Sequence, residues 1–446
     1  MANRTLSIWQ VASLLVSTSC GIGFLLGTGE LALQQGMGAC LYAVSTSLGL
    51  LALALVAPRL WKTGESIWAH FGTLYGSAVR RLVAALSIIW MAGVLSAQIR
   101  GASAILTLAR VPHATSIVAV DCLVIGLSFI RLSWLSGLFA VCMLGCNAIL
   151  TYALIKAHGF SLWIYAPGSF IKSVRFQPGS HVGLTLLSVV ALVLCGADYQ
   201  QFPIAARTST SARIGCLVAA VVVFGVGFLP ASTVIATLNI WHVNNLPDPV
   251  QVIPRLLTLA LGDSNPITSA PVILVLVTTA LGAACSILRA MSDAAATVAF
   301  SSRGASTLHR MICVCVATLV ATHGQSMIDM MVTLNIVYLA AVGPLLLLTL
   351  LGLQISENGA RRSMLTGFVI AAICFLLEWT HTLHMPESIP LVLAWPCALL
   401  AVLGSRSSLN ASSRPDVAAA SLNQISLGES LSGPHSSNSD ATRLAG

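Results

Sequence analysis

The feature that most constrains this chain is a near-continuous succession of apolar runs of about 20 residues, each long enough to cross ~30 Å of hydrocarbon at 1.5 Å per residue. The runs occupy 8–33, 38–58, 82–109, 115–132, 134–156, 183–203, 214–238, 269–300, 308–323, 327–353, 364–384 and 388–404. A helix satisfies every backbone hydrogen bond within one segment, which is what hydrocarbon demands of a spanning run. The expected fold class is therefore an all-α polytopic membrane protein with about twelve transmembrane helices. Of the 446 residues, 57% are apolar and 8% charged, against about 25% charged in a soluble domain, which excludes a water-soluble globule of this size. Trp9, Trp61, Trp134, Trp241 and Trp379 fall near run ends, where amphipathic rings settle at the headgroup layer.

The net charge of +8 comes from basic residues scattered through short loops with no stripe or arm, a pattern that sets topology and does not indicate nucleic acid. Fifteen Lys and Arg, from Arg4 to Arg443, fall on the side of the termini, and five (Arg110, Lys156, Lys172, Arg175 and Arg255) on the other; Arg100 and Arg289 lie inside runs. Positive loops stay inside, so both termini are expected in the cytoplasm of a multi-pass plasma (inner) membrane protein. Residues 1–7 read as a cytoplasmic stub, and 405–446, rich in Ser, Asn, Gly and Ala, as a disordered cytoplasmic tail. The loops 157–182 and 239–268 are long enough to be lids or connectors, the second with a helix-like stretch from Val250 to Leu261. The twelve Cys lie almost all in apolar stretches without zinc-like spacing, as small core hydrophobes do.

Two runs carry interruptions in corresponding places. In the first, Cys20-Gly21-Ile22-Gly23-Phe24-Leu25-Leu26-Gly27-Thr28-Gly29-Glu30 puts four glycines and a carboxylate at membrane depth. In the sixth, five runs later, Leu194-Cys195-Gly196-Ala197-Asp198 does the same. Mid-helix glycine and charge in hydrocarbon are both costly, and a broken helix lining a polar cavity makes both tolerable. Interrupted segments at matching positions of two five-span halves point to an inverted-repeat secondary transporter, although glycines also serve simply to let helices pack closely.

The stretch Asp198-Tyr199-Gln200-Gln201-Phe202-Pro203-Ile204-Ala205-Ala206-Arg207, followed by Ser211-Ala212-Arg213, resembles a signature of the solute:sodium symporter family. So does Thr63-Gly64-Glu65-Ser66 through Phe71-Gly72 to Arg80-Arg81, and the first run is similar to that family's opening unwound helix. The resemblance covers roughly residues 8 to 355 and implies the five-plus-five inverted repeat of leucine-type transporters. It implies a core of 8–353, with repeats at about 8–156 and 183–353, and two peripheral helices at 364–404.

The chain departs from that family where sodium is held. The hydroxyl pair typical of the eighth core span is replaced by Gly282 and Ala283, leaving Ser286 alone, and the carboxylate typical of the fifth is missing. Sodium is a hard cation wanting about five or six oxygens, which carbonyls around Ser17 and Cys20 do not supply alone. Proton coupling or uncoupled transport is thereby favoured over sodium at a rearranged site, through the intramembrane carboxylates Glu30, Asp198 and Asp293.

The residues expected to touch solute are Gly21, Gly23, Phe24, Gln98, Arg100 and Gly196; those expected to serve ion or proton coupling are Ser17, Cys20, Glu30, Asp198, Ser286 and Asp293. Each has a plainer alternative. Glu30 could cap a half-helix; Asp198 could cap another or pair with Arg207 or Arg213. Arg100 needs a carboxylate such as Glu30 or an anionic solute group, and Arg289 and Asp293 are spaced for an intrahelical pair. Gln98, Ser103, Asn147, Tyr152, Asn335 and Tyr338 could be interhelical glue. No cofactor, metal or enzymatic role is expected: His113, His242, His309, His323, His381 and His384 sit in loops or at run ends outside any metalloprotease motif. A small polar solute, with a zwitterion such as an amino acid fitting the mixed charges, is the expected partner besides the bilayer. The competing reading is a membrane solute sensor with a separate signalling partner.

Overall fold

The first apolar run is two helices. α1 (Ile8–Ser19) opens with a capping box, in which the Gln10 amide donates to the Ser7 hydroxyl and the Ser7 amide donates to the Gln10 side chain. It stops at Cys20, and α2 (Ile22–Gln35) starts after Gly21. The computed structural model describes residues 4–130, 132–241, 248–261, 266–299, 306–322, 326–353, 355–380 and 389–403, all within Met1–Ser405. The tail, His242, His323, His381 and His384 lie outside the described residues.

A 3-10 turn, Gly36–Cys40, leads to α3 (Leu41–Thr63), which ends at Gly64 in the left-handed conformation (φ 64°) that glycine adopts without strain. A short α4 (Ile67–Tyr75) precedes the long α5 (Ser77–Leu108), followed by α6 (His113–Leu127) and α7 (Leu132–Lys156). The loop at 157–182 contains α8 (Phe160–Ile164) and α9 (Ala166–Val174). The sixth run breaks into α10 (Gly179–Cys195) and α11 (Ala197–Ile204), bent by 44°. α12 (Ser209–Val226) and α13 (Leu229–Trp241) follow, then α14 (Val252–Leu261), α15 (Pro266–Ala299), α16 (Ser306–Ala321), α17 (Met327–Leu350), α18 (Glu357–Trp379) and α19 (Ile389–Leu403).

The described residues of all twelve runs lie largely on helix, and among the described residues six helices pass as membrane spans by length and composition, or seven with the bent pair. The breaks divide some runs into pieces too short to cross alone, and α6, α16 and α19 hold 15, 16 and 15 residues against the ~20 a span needs. Large apolar side chains such as Val118, Leu123, Val141, Leu319 and Leu400 point outward, the arrangement suited to lipid.

Two arrangements position the site. α5 lies along α15 and also packs on α2, α17 and α6, so it reaches both halves of the fold. α3 is wedged between α10 and α12: Val193 lies where a Gly49 side chain would be (2.8 Å), and the Ser47 hydroxyl donates to the Ala220 carbonyl (2.9 Å). α18 and α19 pack on each other and on α17.

The N-terminal face is tied together by backbone. Leu6 and Ala206 form an isolated parallel bridge, with the Leu6 amide on the Ala205 carbonyl (3.0 Å) and the Arg207 amide on the Leu6 carbonyl (2.9 Å). Arg4 stacks 4.0 Å over Trp61, whose indole N–H donates to the Ala206 carbonyl (2.8 Å). The Ala205-Ala206-Arg207 end of the signature stretch thus holds the segment before α1 and the end of α3. At the opposite face, α14 is largely buried over α2: Ile253 abuts Gly29, and the Gln251 amide donates to the Thr107 hydroxyl (3.0 Å). The described stretch 248–261 of the loop at 239–268 covers this position.

Candidate functional site

A broken helix leaves backbone amides and carbonyls unpaired at each new end, and their partners mark what the break is built for. At the first break, the Gly23 amide donates to Gln98 Oε1 (3.2 Å) from α5, which is buried. A Cβ on Gly21 would stand 2.9 Å from both the Ala283 methyl and Gln98 Oε1, and one on Gly23 would stand 2.9 Å from the Ala97 methyl. α5 and α15 therefore close on the break more tightly than any side chain permits. Gly27 and Gly29 play the other role: they sit within α2, and Ile328 and Ile253 pack directly on them.

Replacing Gln98 with Leu keeps the volume and removes the acceptor, leaving the Gly23 amide buried and unpaired. The expected cost is about 1–3 kcal/mol, read as a lower thermal-unfolding midpoint of the purified protein, with Gln98→Glu milder because it keeps an acceptor. An unchanged midpoint for Gln98→Leu would remove this bond from the account of the break.

At the second break, Gly196 is extended (φ −68°, ψ 121°) and the carbonyls of α10 find side chains. Gln200 Nε2 donates to the Leu194 carbonyl (2.5 Å), and the Tyr338 hydroxyl donates to that of Cys195 (3.3 Å). One turn pair earlier, the Asn335 amide donates to the Ser188 carbonyl (3.3 Å), so α17 is pinned along α10. Tyr338 and Asn335 here satisfy backbone.

Asp198 lies in the first turn of α11 and is 1% exposed. Neither of its oxygens completes a hydrogen bond, although the amides of Asp198 and Tyr199 at the helix N-terminus lie beside them. Arg207, one expected partner, instead donates Nε to the Thr5 carbonyl (2.8 Å). Within electrostatic reach of the carboxylate are Tyr42 on α3, Tyr199 on its own helix and Tyr338 on α17, and Cys20 at the end of α1 lies near Tyr42 and Tyr199. Phe24 packs on Tyr42 with ring centroids 6.1 Å apart. Tyr42 and Tyr199 received no role from the sequence, because a Tyr in an apolar run is indistinguishable from core; the signal available was its proximity to an interrupted span.

Two cavities flank this centre. One of about 450 Å³, at the face opposite the N-terminus, is lined by Arg100, Ser103, Thr107, His113, Asp248 and Thr322. Glu30 on α2 lies within electrostatic reach of Arg100, Asp248 and Asp329. Gln98 and Arg100, two residues apart on α5, thus serve different places: Gln98 the break, Arg100 this cavity. The other cavity, about 230 Å³ at the N-terminal face, is lined by Gly64, Trp68, Ala197, Gln200 and Asp293 and so reaches the start of α11.

The remaining expected residues are distributed. Ser17 is half-buried on α1. The Ser286 hydroxyl donates to the Ala283 carbonyl of its own helix (2.8 Å). Arg289 Nε donates to the Ser128 carbonyl (2.9 Å) at the end of α6, and Arg310, stacked 4.0 Å over Phe129, shares the neighbourhood of Asp293 with it. The local spacing of Arg289 and Asp293 suggested an intrahelical pair; the tertiary carbonyl takes the guanidinium.

No protein-family model matches the sequence, and no curated protein sequence does. Solved structures match over nearly the whole chain. A Na+-coupled sialic acid symporter in a substrate-bound outward-open state aligns over 93% of this chain and 92% of its own, with TM-score 0.68 and 11% identity. The chain has this fold. A nucleobase-cation-symport-1 family transporter with bromovinylhydantoin bound aligns over 91% and 93% with TM-score 0.56 and 16% identity. The Eremococcus coleocola manganese transporter aligns over 90% and 92% with TM-score 0.51 and 16% identity. The chain is an all-α multi-pass membrane protein of the leucine-transporter, five-plus-five type. These neighbours are a sialic acid symporter, a transporter with bromovinylhydantoin bound and a manganese transporter, so the shared fold does not fix a ligand.

Proposed function

We propose that this chain is a secondary transporter that moves a small polar solute by alternating access and is driven by protons. Both termini lie in the cytoplasm of the plasma membrane, and the two repeats and the peripheral pair follow the divisions 8–156, 183–353 and 364–404. Solute binds at the helix breaks, against Gly21, Gly23, Phe24, Gln98 and Gly196, after entering through the cavity where Arg100 attracts an acidic group. Broken helices present unpaired backbone groups to polar cargo at the bilayer centre, which is where this fold type binds.

The observation that carries the driving ion is the α1–α15 junction. There the Ala283 methyl faces Gly21, and Ser286 spends its hydroxyl on its own helix. Carbon occupies the place where hydroxyl oxygens would be needed for sodium. The carboxylate is elsewhere, at Asp198 beside both breaks, and a proton asks for nothing more than one such group. The sialic acid symporter of the same fold is Na+-coupled.

The test begins with a thermal-shift screen of amino acids, carboxylates, sugars and ureas on purified protein, followed by uptake of the stabilising compound into proteoliposomes. An inward proton gradient is expected to stimulate uptake and a sodium gradient at equal pH to have no effect. Stimulation by sodium alone would overturn proton coupling, and absence of flux for every stabilising compound would favour a solute sensor.

A further inference from the structure

The junction of α6, α15 and α16 holds two guanidiniums that have no part in the solute path. α6 starts at His113 beside the Arg100 cavity and runs to Ser128, toward the face that holds the N-terminus. α15 brings Arg289 to that end, and α16, setting out from the same face, brings Arg310 from near its start. Two turns along α16 from Arg310, the Thr318 hydroxyl donates to Asp121 Oδ2 (2.9 Å) and fixes α16 against α6.

The two arginines are spent differently. Arg289 Nε donates to the Ser128 carbonyl (2.9 Å). The last carbonyls of a helix want donors and its dipole favours a cation there, so Arg289 closes the end of α6. Arg310 instead lies with its guanidinium carbon 4.0 Å over the Phe129 ring. Stacking occupies a face of the guanidinium and leaves its N–H groups, which lie in the plane, for oxygen acceptors. Nε and Nη1 of Arg310 are buried, and among the described residues neither finds an acceptor. Buried donors on a permanently charged group are costly to leave unmade. Asp293 is the neighbour of both arginines and also lines the cavity at the N-terminal face, so it offsets one of the two charges.

The surroundings of Arg310 are carbon facing outward. Leu308, Met311 and Ile312 of α16 are 58%, 50% and 52% exposed, and Phe129 and Ile130 after α6 are 52% and 43% exposed. A half-buried guanidinium near a helix end, beside side chains suited to hydrocarbon, stands at the level of phospholipid headgroups. We propose that Arg310 binds the phosphate of an anionic phospholipid, in the leaflet on the side of the N-terminus, with the acyl chains lying along the exposed stripe of α16. Phosphate oxygens supply the acceptors that the protein does not, and a planar guanidinium suits them better than an ammonium. Basic pockets between spanning helices hold acidic headgroups in this way. A zwitterionic headgroup carries its own cation, which Arg310 repels, so the site prefers a headgroup of net negative charge.

The probe is dioleoyl phosphatidylglycerol against dioleoyl phosphatidylcholine, added to delipidated full-length protein in an uncharged detergent, with bound lipid counted by native mass spectrometry. One phosphatidylglycerol is expected to be held at least about fivefold more tightly than phosphatidylcholine, the worth of about one basic residue at an anionic surface. Arg310→Gln is expected to erase that preference. Arg213→Gln, which removes an exposed arginine near the start of α12 on the same face, is expected to leave it. Equal binding of the two lipids by the wild type overturns the site, as does a preference that survives Arg310→Gln. A preference that falls equally in Arg213→Gln belongs to the charge of the whole face and overturns it too. Inorganic phosphate at the lipid's concentration is expected to leave the lipid bound; displacement shows a site for a free anion and overturns the lipid assignment. Should Arg310→Gln not fold, Arg310→Lys decides instead: it keeps the charge without the planar fork, so a lower preference is expected and full retention overturns the assignment to Arg310.

Discussion

Asp198→Asn is expected to reduce proton-driven accumulation of the transported solute to none. A one-unit inward pH gradient is worth about 1.4 kcal/mol, which at one proton per solute sustains a concentration ratio of about ten. Asn fills the same space at the start of α11 but cannot exchange a proton, so the ratio is expected to fall to one, and the pH dependence of uptake to flatten with it. The change is expected to be cheap in stability. A carboxylate that is 1% exposed and completes no hydrogen bond is an unfavourable group to bury, and a neutral amide in its place removes a charge from the bilayer centre. The measurement is the steady-state solute ratio in proteoliposomes, beside the thermal midpoint of the same preparation. Wild-type accumulation by the variant would show that coupling resides elsewhere, with Glu30 and Asp293 next to be replaced. Asp198→Glu separates chemistry from placement, since it keeps the carboxyl and lengthens its reach.

How far the sequence alone led follows from which interactions are local. Apolar runs of spanning length are a property of consecutive residues, so the helical membrane fold could be read directly. The breaks were equally legible, because glycine beside a carboxylate in an apolar run contradicts a continuous helix, and both fall within a residue or two of Gly21 and Gly196. The roles of the individual glycines were not, since Gly21 and Gly23 serve the break while Gly27 and Gly29 admit isoleucines from distant segments. Arg289 shows the same limit: its spacing to Asp293 is visible along the helix, whereas the Ser128 carbonyl that accepts its Nε–H hydrogen bond lies 161 residues away. α4 was missed because nine residues are too few to register beside runs of about twenty. The tyrosines around Asp198 come from α3, α11 and α17, and only folding brings them to one carboxylate.

Gly21 carries the second large effect, and its requirement is space. Its φ of −57° is open to any residue, so backbone conformation does not demand glycine there. What demands it is the 2.9 Å between a Cβ at this position and both the Ala283 methyl and Gln98 Oε1. Gly21→Val inserts three carbons where one does not fit, forcing α1 and α15 apart or turning Gln98 away from the Gly23 amide. Overpacking of this kind costs about 1–3 kcal/mol, and the displaced break is expected to lose transport altogether. Gly21→Ala is the sharper instrument, since its single methyl meets the Ala283 methyl directly. Adding Ala283→Gly is expected to recover part of both stability and uptake, with a coupling energy of about 0.5–3 kcal/mol in the double-mutant cycle. Additive effects would show that the two methyls do not compete for one place, and the α1–α15 junction would then have room for oxygen ligands around a cation. The same cycle therefore tests the packing and the exclusion of sodium, because both rest on carbon standing against Gly21.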